Sequence, residues 1–325
     1  MSFTLLTTPA DHEAYATWIS THPQNNLWQS LERAAYCKAI GQEVRVYAVM
    51  QNNAITASAQ VMIDAGRGGS VWEVPRGPLW DAKNPDAARE LCIGILEQAK
   101  TEKALAVYFS PLLPLPSGIP DAQDSHRSIH AEATRILDLE KAQAEILSQM
   151  HPKGRYNIRV AEKSGVTVQQ SDDVESFYRL VKETGARDKF GTLPKHRYQA
   201  FFGHLPGSFL LLAEHEGRPI AGLLGVIYNK QGIYYYGASS YASRQLMAPY
   251  ALQWAAIEHC KAAGCTTYDL LGIAPQNAEK AHSWAGISEF KAKFGGTVIN
   301  YPPEQMVVLR PWTFKLLKWK RRMLG

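Results

Sequence analysis

One ordering of patterns occurs twice in this chain, and it constrains the fold more than any single motif. In the first half, helical spacing near 11–41 gives way to strand-like runs at 44–50, 54–63 and 71–74, then a helix at 86–100 and a strand at 104–109. In the second half, 174–184 and 194–202 read as helices, 209–213, 219–227 and 232–238 as strands, 249–263 as a helix and 267–271 as a strand. Gln51-Asn52-Asn53 and Glu216-Gly217 supply hairpin turns, while Gly41 and Gly264 supply helix stops. Between the halves lie a proline-rich loop at 111–124, a strand at 134–139 and a short helix at 142–150. Two copies of one α/β unit with mixed sheets, jointly enclosing a cleft, are therefore expected. The first domain is drawn at 1–147 and the second at 148–301, with 302–325 packing on the first.

Two stretches concentrate positive charge. His151-Pro-Lys-Gly-Arg-Tyr-Asn-Ile-Arg-Val-Ala-Glu-Lys-Ser-Gly165 holds Lys153, Arg155, Arg159, Lys163 and His151. Arg155, Arg159 and Lys163 stand four apart and line one helical face, with Gly165 as the stop. Ile158, Val160 and Ala161 are few for a core helix, so a solvated basic face is the plain alternative. The C-terminal run 310–325 carries six Lys/Arg and no acid, with Trp312, Leu316 and Trp319 at three- and four-residue spacing. Such a helix suits a membrane surface or nucleic acid, or else docks its Trp/Leu side on the first domain.

Several classes fall away. A net charge of +5 permits an anionic partner without requiring one. Cys37, Cys92, Cys260 and Cys265 form no CxxC pair, and reduced buried thiols point to a cytoplasmic setting. No apolar run reaches transmembrane length, and the first residues lack a signal-peptide pattern. Nucleophile elbows, zinc motifs, phosphate loops and dinucleotide fingerprints are absent, and Gly66-Arg-Gly-Gly69 reads as a turn. No metal is expected. What stands out is basic and aromatic: Lys38, the 153–163 segment, Arg187, Arg197, Lys291 and Lys293, with Tyr234, Tyr235, Tyr236 and Tyr241. This set suits a phosphate-rich anion.

Lys153-Gly-Arg-Tyr-Asn-Ile-Arg-Val-Ala-Glu-Lys-Ser-Gly-Val166 resembles the signature of the Fem family of peptidoglycan-bridge aminoacyltransferases. Gln29-Ser30, Pro75-Arg-Gly-Pro78, Tyr236-Gly-Ala-Ser-Ser240, Gln253-Trp254, Tyr268-Asp-Leu-Leu-Gly-Ile273 and Phe290-Lys-Ala-Lys-Phe-Gly-Gly296 resemble further family blocks, in the family's order. The resemblance spans nearly the whole chain. It implies two tandem acetyltransferase-like (GNAT) units, here in the short form without a coiled-coil hairpin, since 165–209 holds no heptad insertion.

The activity implied is transfer of Gly, Ala or Ser from an aminoacyl-tRNA donor to the side-chain amine of a UDP-linked or lipid-linked muropeptide acceptor. That places the protein in cell-wall biogenesis, as a monomer working without a cofactor in the cytoplasm or at the membrane's inner face, which 310–325 would touch. By the resemblance Lys291 is the catalytic cation, and Lys38, Arg197, Tyr241 and Phe290 hold the acceptor. The basic residues Lys153, Arg155, Arg159 and Lys163 are offered to tRNA. Two departures stand out. Phe201 occupies a place where the family supplies a tyrosine, and no acid stands near Phe109-Ser-Pro111, where relatives carry an aspartate considered as a base. Asp188 is an alternative acid, or a partner for Arg187. A CoA-dependent N-acyltransferase on the same fold is the rival enzyme, opposed by Arg244-Gln-Leu-Met-Ala-Pro249, which lacks the glycines a pyrophosphate turn needs. A noncatalytic tRNA- or membrane-binding protein is the other alternative.

Overall fold

A computed structural model describes residues 1–324 apart from Arg67, His126, Ser128, Gln276, Asn277, Glu279, Lys280, Ala281 and Ser283. In the last helix the side chains of Lys318, Lys320, Arg321, Arg322 and Leu324 also lie outside the described set, and Arg67 is the one residue of the expected Gly66–Gly69 turn that does. The chain divides into two compact units, 1–132 with 301–325, and 133–300.

The first unit opens with β1 (Ser2–Leu6), α1 (Pro9–Ser20) and α2 (Leu31–Ala39). The meander β2 (Glu43–Gln51), β3 (Ala54–Gly66), β4 (Gly69–Pro75) follows, with β5 (Leu79–Trp80) pairing on β3. Helix α3 (Pro85–Thr101) then crosses to β6 (Ala106–Ser110), which runs parallel to β4, and β7 (Gln123–Asp124) comes next. Asn84 caps the α3 amide of Ala87, and Pro85 opens the helix where its missing N–H costs nothing. Ala87, Ala88, Leu91, Cys92, Ile95 and Ala99 recur at helical spacing and meet Tyr47, Trp72, Val74 and Phe109 in one core. Truncating Trp72, which is fully buried, would cost about 3–5 kcal/mol.

The second unit begins with β8 (Ala133–Asp138), followed by α4 (Gln143–Gln149), α5 (Pro152–Lys163), β9 (Thr167–Ser171), α6 (Val174–Asp188) and α7 (Lys195–His204). Its meander is β10 (Ser208–His215), β11 (Arg218–Tyr228) and β12 (Gln231–Ser239). Helix α8 (Ala248–Ala262) crosses to β13 (Thr267–Ile273), parallel to β12, and α9 (Ala285–Ala292) and β14 (Thr297–Asn300) complete the unit. The chain then returns to the first unit as β15 (Gln305–Val308), antiparallel to β6, and α10 (Pro311–Leu324).

The strand expected at 134–139 thus belongs to the second unit. It lies between β13 and β14, hydrogen-bonded to both, so the chain passes between units at Glu132/Ala133 rather than at 147/148. The edge strands β1, β9 and β14 were not foreseen; each is short and packs one face only, which leaves little periodicity to read.

The basic segment is a helix with a core face after all. Gly154, Asn157, Ile158 and Ala161 are buried at i, i+3, i+4, i+7 spacing, so a glycine and an asparagine stand where larger apolar residues would advertise a core helix. A Cβ on Gly154 would stand 2.4 Å from the Lys293 carbonyl oxygen, a contact no side chain tolerates. Gly165 adopts φ +76°, with Val166 N–H donating to Ala161 C=O and Gly165 N–H to Glu162 C=O, a Schellman stop. Across from Gly154, Gly295 and Gly296 turn with φ +80° and +78°. Their carbonyls accept from Arg135 at 3.0 and 2.9 Å. The two blocks that carry the resemblance therefore touch where Gly154 meets the Lys293 carbonyl, which also accepts the His151 N–H just before the first block.

Candidate active site

The polar centre of the second unit grows from an irregularity in β13. Strand β13 pairs regularly with β8 through Asp269, then skips register before Gly272. Leu271 takes a left-handed φ of +54° at that bulge, a conformation a leucine adopts only under local restraint. The buried Asp269 carboxylate provides part of it, accepting the Leu271 N–H at 2.7 Å and the Thr134 hydroxyl. The bulge turns the Gly272 carbonyl to accept from Lys291 Nζ at 2.7 Å.

Lys291 comes from α9 and is 6% exposed. Its Nζ lies 5.6 Å from the centroid of the Tyr234 ring. Burial pushes its pKa down to about 8, and the Asp269 carboxylate partly opposes that shift. Behind it, the Tyr268 hydroxyl donates to Gln253 Oε1 at 3.0 Å, and burial raises Tyr234 to about 12 and also pushes Tyr268 well above the usual phenol range. Both phenols stay neutral at ordinary pH. The result is a mostly protonated ammonium in a poorly hydrated setting, held by one carbonyl, a group whose chemistry suits the stabilisation of negative charge.

Phe290, the residue before, is half-buried against Tyr250 and Phe294, with ring centroids 5.2 Å away in each case. Arg197 is half-buried on α7. Its neighbour Tyr198 is buried among Phe177, Tyr178 and Tyr236. Phe201 is fully buried against Tyr235 and Tyr236, which makes it a packing residue. Tyr241 is 52% exposed, with the Arg244 guanidinium 4.1 Å and the Arg187 guanidinium 6.0 Å from its ring centroid. Asp188 is paired with Arg187 at 2.7 Å, which holds its carboxyl below the usual range and makes it a poor base. Lys38 stands on the first unit, in α2, lining a groove of about 410 Å³ with Leu31, Ala34, Ala35, Val44 and Arg45.

Lys153, Arg159 and Lys163 are exposed on α5. Arg155 is different: its Nη1 donates to the Ser148 carbonyl at 2.8 Å and to the Met150 carbonyl, capping the end of α4. It is a structural residue within the basic row. The place near 109–111, which lacks an acid in sequence, has one in space. Ser110 donates to Glu304 Oε2 at 2.7 Å, and Arg127 reaches the same carboxylate at 2.8 and 3.0 Å and Glu73 at 2.8 Å. Burial raises Glu304, but hydrogen bonds from Arg127, Ser125 and Ser110 outweigh it and leave its carboxyl below the usual range. Glu304 is therefore a bound partner and not a base.

Sequence reasoning grouped Tyr234 with Lys291 but missed Asp269, Thr134 and Gln253 as parts of the same site. The available signal was an aspartate inside the otherwise apolar run Tyr268-Asp-Leu-Leu, since a buried acid in a strand needs partners. Among the described residues no cluster of His, Cys, Asp or Glu could hold a metal ion.

The comparisons with known proteins agree with this architecture. The lipid II:glycine glycyltransferase of Staphylococcus aureus is 28% identical over 209 residues, covering 57% of this chain and 48% of that protein. The chain thus spans about half the length of the curated relatives it matches. Among solved structures, the crystal structure of FemX superposes with a TM-score of 0.81 at 20% identity, covering 98% of this chain and 100% of that one. A tandem GNAT protein from the clavulanic acid biosynthesis pathway gives 0.58 at 13% identity, covering 95% and 98%. These likenesses show the fold, two GNAT-like units in tandem. The FemAB family model matches residues 10–132, 118–214 and 209–321, taking in both units, and the chain belongs to the FemAB family.

Proposed function

We propose that the protein is an aminoacyltransferase that moves glycine, alanine or serine from an aminoacyl-tRNA to the side-chain amine of a peptidoglycan-precursor stem peptide. The observation that carries this reading is Lys291, a buried cation fixed by the Gly272 carbonyl within a chain of this family. Ester aminolysis needs such a group. The acceptor amine, once deprotonated, attacks the ester carbonyl, and negative charge collects on its oxygen in the tetrahedral intermediate. The carbon–ribose oxygen bond then breaks, the terminal ribose hydroxyl leaves with a proton, and an amide remains. A fixed ammonium at that oxygen lowers the barrier, and no cofactor enters. Asp188 and Glu304 are both tied to arginines, so neither is assigned as general base, and deprotonation assisted by the substrates is compatible with this arrangement.

Lys38, Arg197, Tyr241 and Phe290 are assigned to the acceptor, and Lys153, Arg159 and Lys163 to the donor's phosphates. The Staphylococcus aureus relative, a lipid II:glycine glycyltransferase, favours a lipid-linked acceptor and glycine. The CoA-dependent rival gains nothing from the turn before α8. Met247 occupies the left-handed position there, φ +55°, and Pro249 offers no N–H, so the helix start is a poor pyrophosphate cradle.

The deciding experiment incubates the protein with a charged tRNA mixture and, separately, UDP-linked and lipid-linked muropeptides, and weighs the product peptide. Addition of one glycine, alanine or serine residue is expected. Consumption of acyl-CoA with no tRNA-dependent product would replace this reading with the rival.

A further inference from the structure

The last helix leaves its most apolar side uncovered. Trp312, Leu316, Trp319 and Met323 are 85%, 50%, 58% and 68% exposed. Their spacing of four, three and four places them within an arc of about 60°, at roughly 100° per residue. The opposite side makes the attachment. Leu317 closes on Gly68, where an added Cβ would meet its Cδ1 at 3.0 Å, and Arg310 Nη1 donates to the Lys103 carbonyl at 3.4 Å. Of the alternatives the sequence leaves open, docking of the Trp/Leu side on the first unit is therefore not what is seen. Thr313, Phe314 and Leu317 are half-buried, and the tryptophan stripe faces out.

We infer that α10 is a docking helix for an anionic lipid surface, lying in its plane with the Trp312–Leu316–Trp319–Met323 stripe at the acyl boundary. The charge pattern selects this occupant. Residues 310–325 hold six Lys/Arg and no acid. An apolar protein groove has no use for six cations, and an RNA backbone has no use for a continuous Trp/Leu/Met stripe. A surface of acyl chains beneath phosphates uses both, and tryptophan favours that boundary. Fourteen residues make a helix about 21 Å long, too short to cross a bilayer core of about 30 Å. No described helix is long and apolar enough to cross a membrane. The attachment is thus peripheral and reversible.

The test is vesicle flotation of the full chain with phosphatidylcholine vesicles, with and without phosphatidylglycerol, and with no muropeptide or tRNA present. Binding to the anionic vesicles alone is expected, with a blue shift of tryptophan emission. Trp312→Ser with Trp319→Ser should weaken it by about tenfold or more. Lys315→Glu should weaken it by about fivefold or more, as should added salt. All these positions are exposed, so the thermal unfolding midpoint should stay unchanged and serves as the folding control. Absence of vesicle binding, or equal binding by the double-serine variant, would overturn the inference. So would a concentration-dependent dimer that the double-serine variant dissociates, since a second copy would then cover the stripe. In a separate tRNA-binding assay without vesicles, a loss in the double-serine variant together with unchanged vesicle binding would overturn the inference and reassign the helix to RNA. Because no substrate is present, failure here leaves the proposed aminoacyl transfer standing.

Discussion

The two units close their sheets in the same way and put opposite things at the end of the closure. In each, a helix crosses from the third meander strand to a parallel neighbour, β4 to β6 and β12 to β13. In each, an antiparallel strand from elsewhere in the chain then covers that neighbour, β15 beside β6 and β8 beside β13. The β6–β15 pair is regular, and the polar residues at its end neutralise one another, Glu304 being saturated by Arg127, Ser110 and Ser125. The β8–β13 pair loses register, and the freed Gly272 carbonyl holds a buried lysine instead. One architecture thus yields a quiet core in one copy and a poised cation in the other. The difference is a single bulge and the carboxylate that supports it.

The comparison breaks most directly in the quiet copy. Arg127→Ala strands the Glu304 carboxylate, whose side chain is 6% exposed, and should cost about 3–5 kcal/mol in chemical unfolding. A loss below about 1 kcal/mol would show that the first unit's charges are not mutually dependent. In the other copy, Lys291→Met keeps the volume and removes a costly buried charge, so stability should hold. Turnover should fall about 10²–10³-fold with little change in acceptor affinity. Equal losses in turnover and affinity would move Lys291 to a binding role.

Asp269→Asn tests the support beneath it. The amide oxygen can still accept from Leu271 and Thr134, so the bulge survives while the charge is lost. Lys291, already depressed by burial to about 8, then loses its counter-charge and should titrate lower. If the ammonium is the active form, activity is present below that pKa and falls as pH rises through it. The alkaline limb should therefore shift downward by about one unit in Asp269→Asn, and stay put in Glu304→Gln. An unmoved limb in the first variant would separate Lys291 from the pH profile. The smallest effect is expected on the second unit's surface. Arg159→Glu with Lys163→Glu should weaken tRNA binding and flatten its salt dependence by about 1.5 or more in log–log slope. Arg155→Ala, by contrast, should act chiefly on stability, by about 1–3 kcal/mol, because it uncaps α4.

Much of the architecture was legible because periodicity and turn chemistry are local. The α3 spacing with its Asn84-Pro85 start and the two meanders appear in sequence as they do in space. Lys291 stands out in sequence only as one of several basic residues, and its role, like that of Phe290, is assigned by the resemblance alone, since a lysine after a phenylalanine carries no spacing signal. What escaped were short edge strands, and contacts between residues far apart in the chain. Glu304 is 194 positions from Ser110 and Asp269 is 135 from Thr134. The core face of α5 escaped too, because close backbone approach selects Gly154 there in place of a large apolar residue.

By itself, then, the sequence determined the order of elements, the doubling of the α/β unit and the amphipathic basic helix at its end, all of them products of local hydrophobic pattern and backbone preference. Tertiary structure alone decided which strand completes which sheet and which side of α10 is covered. It also decided that a buried aspartate and a bulge set the surroundings of Lys291, whose ammonium meets the Gly272 carbonyl in a poorly hydrated setting. Those outcomes depend on desolvation and on partners brought together over long chain separations, and neither is encoded in the spacing of neighbouring residues.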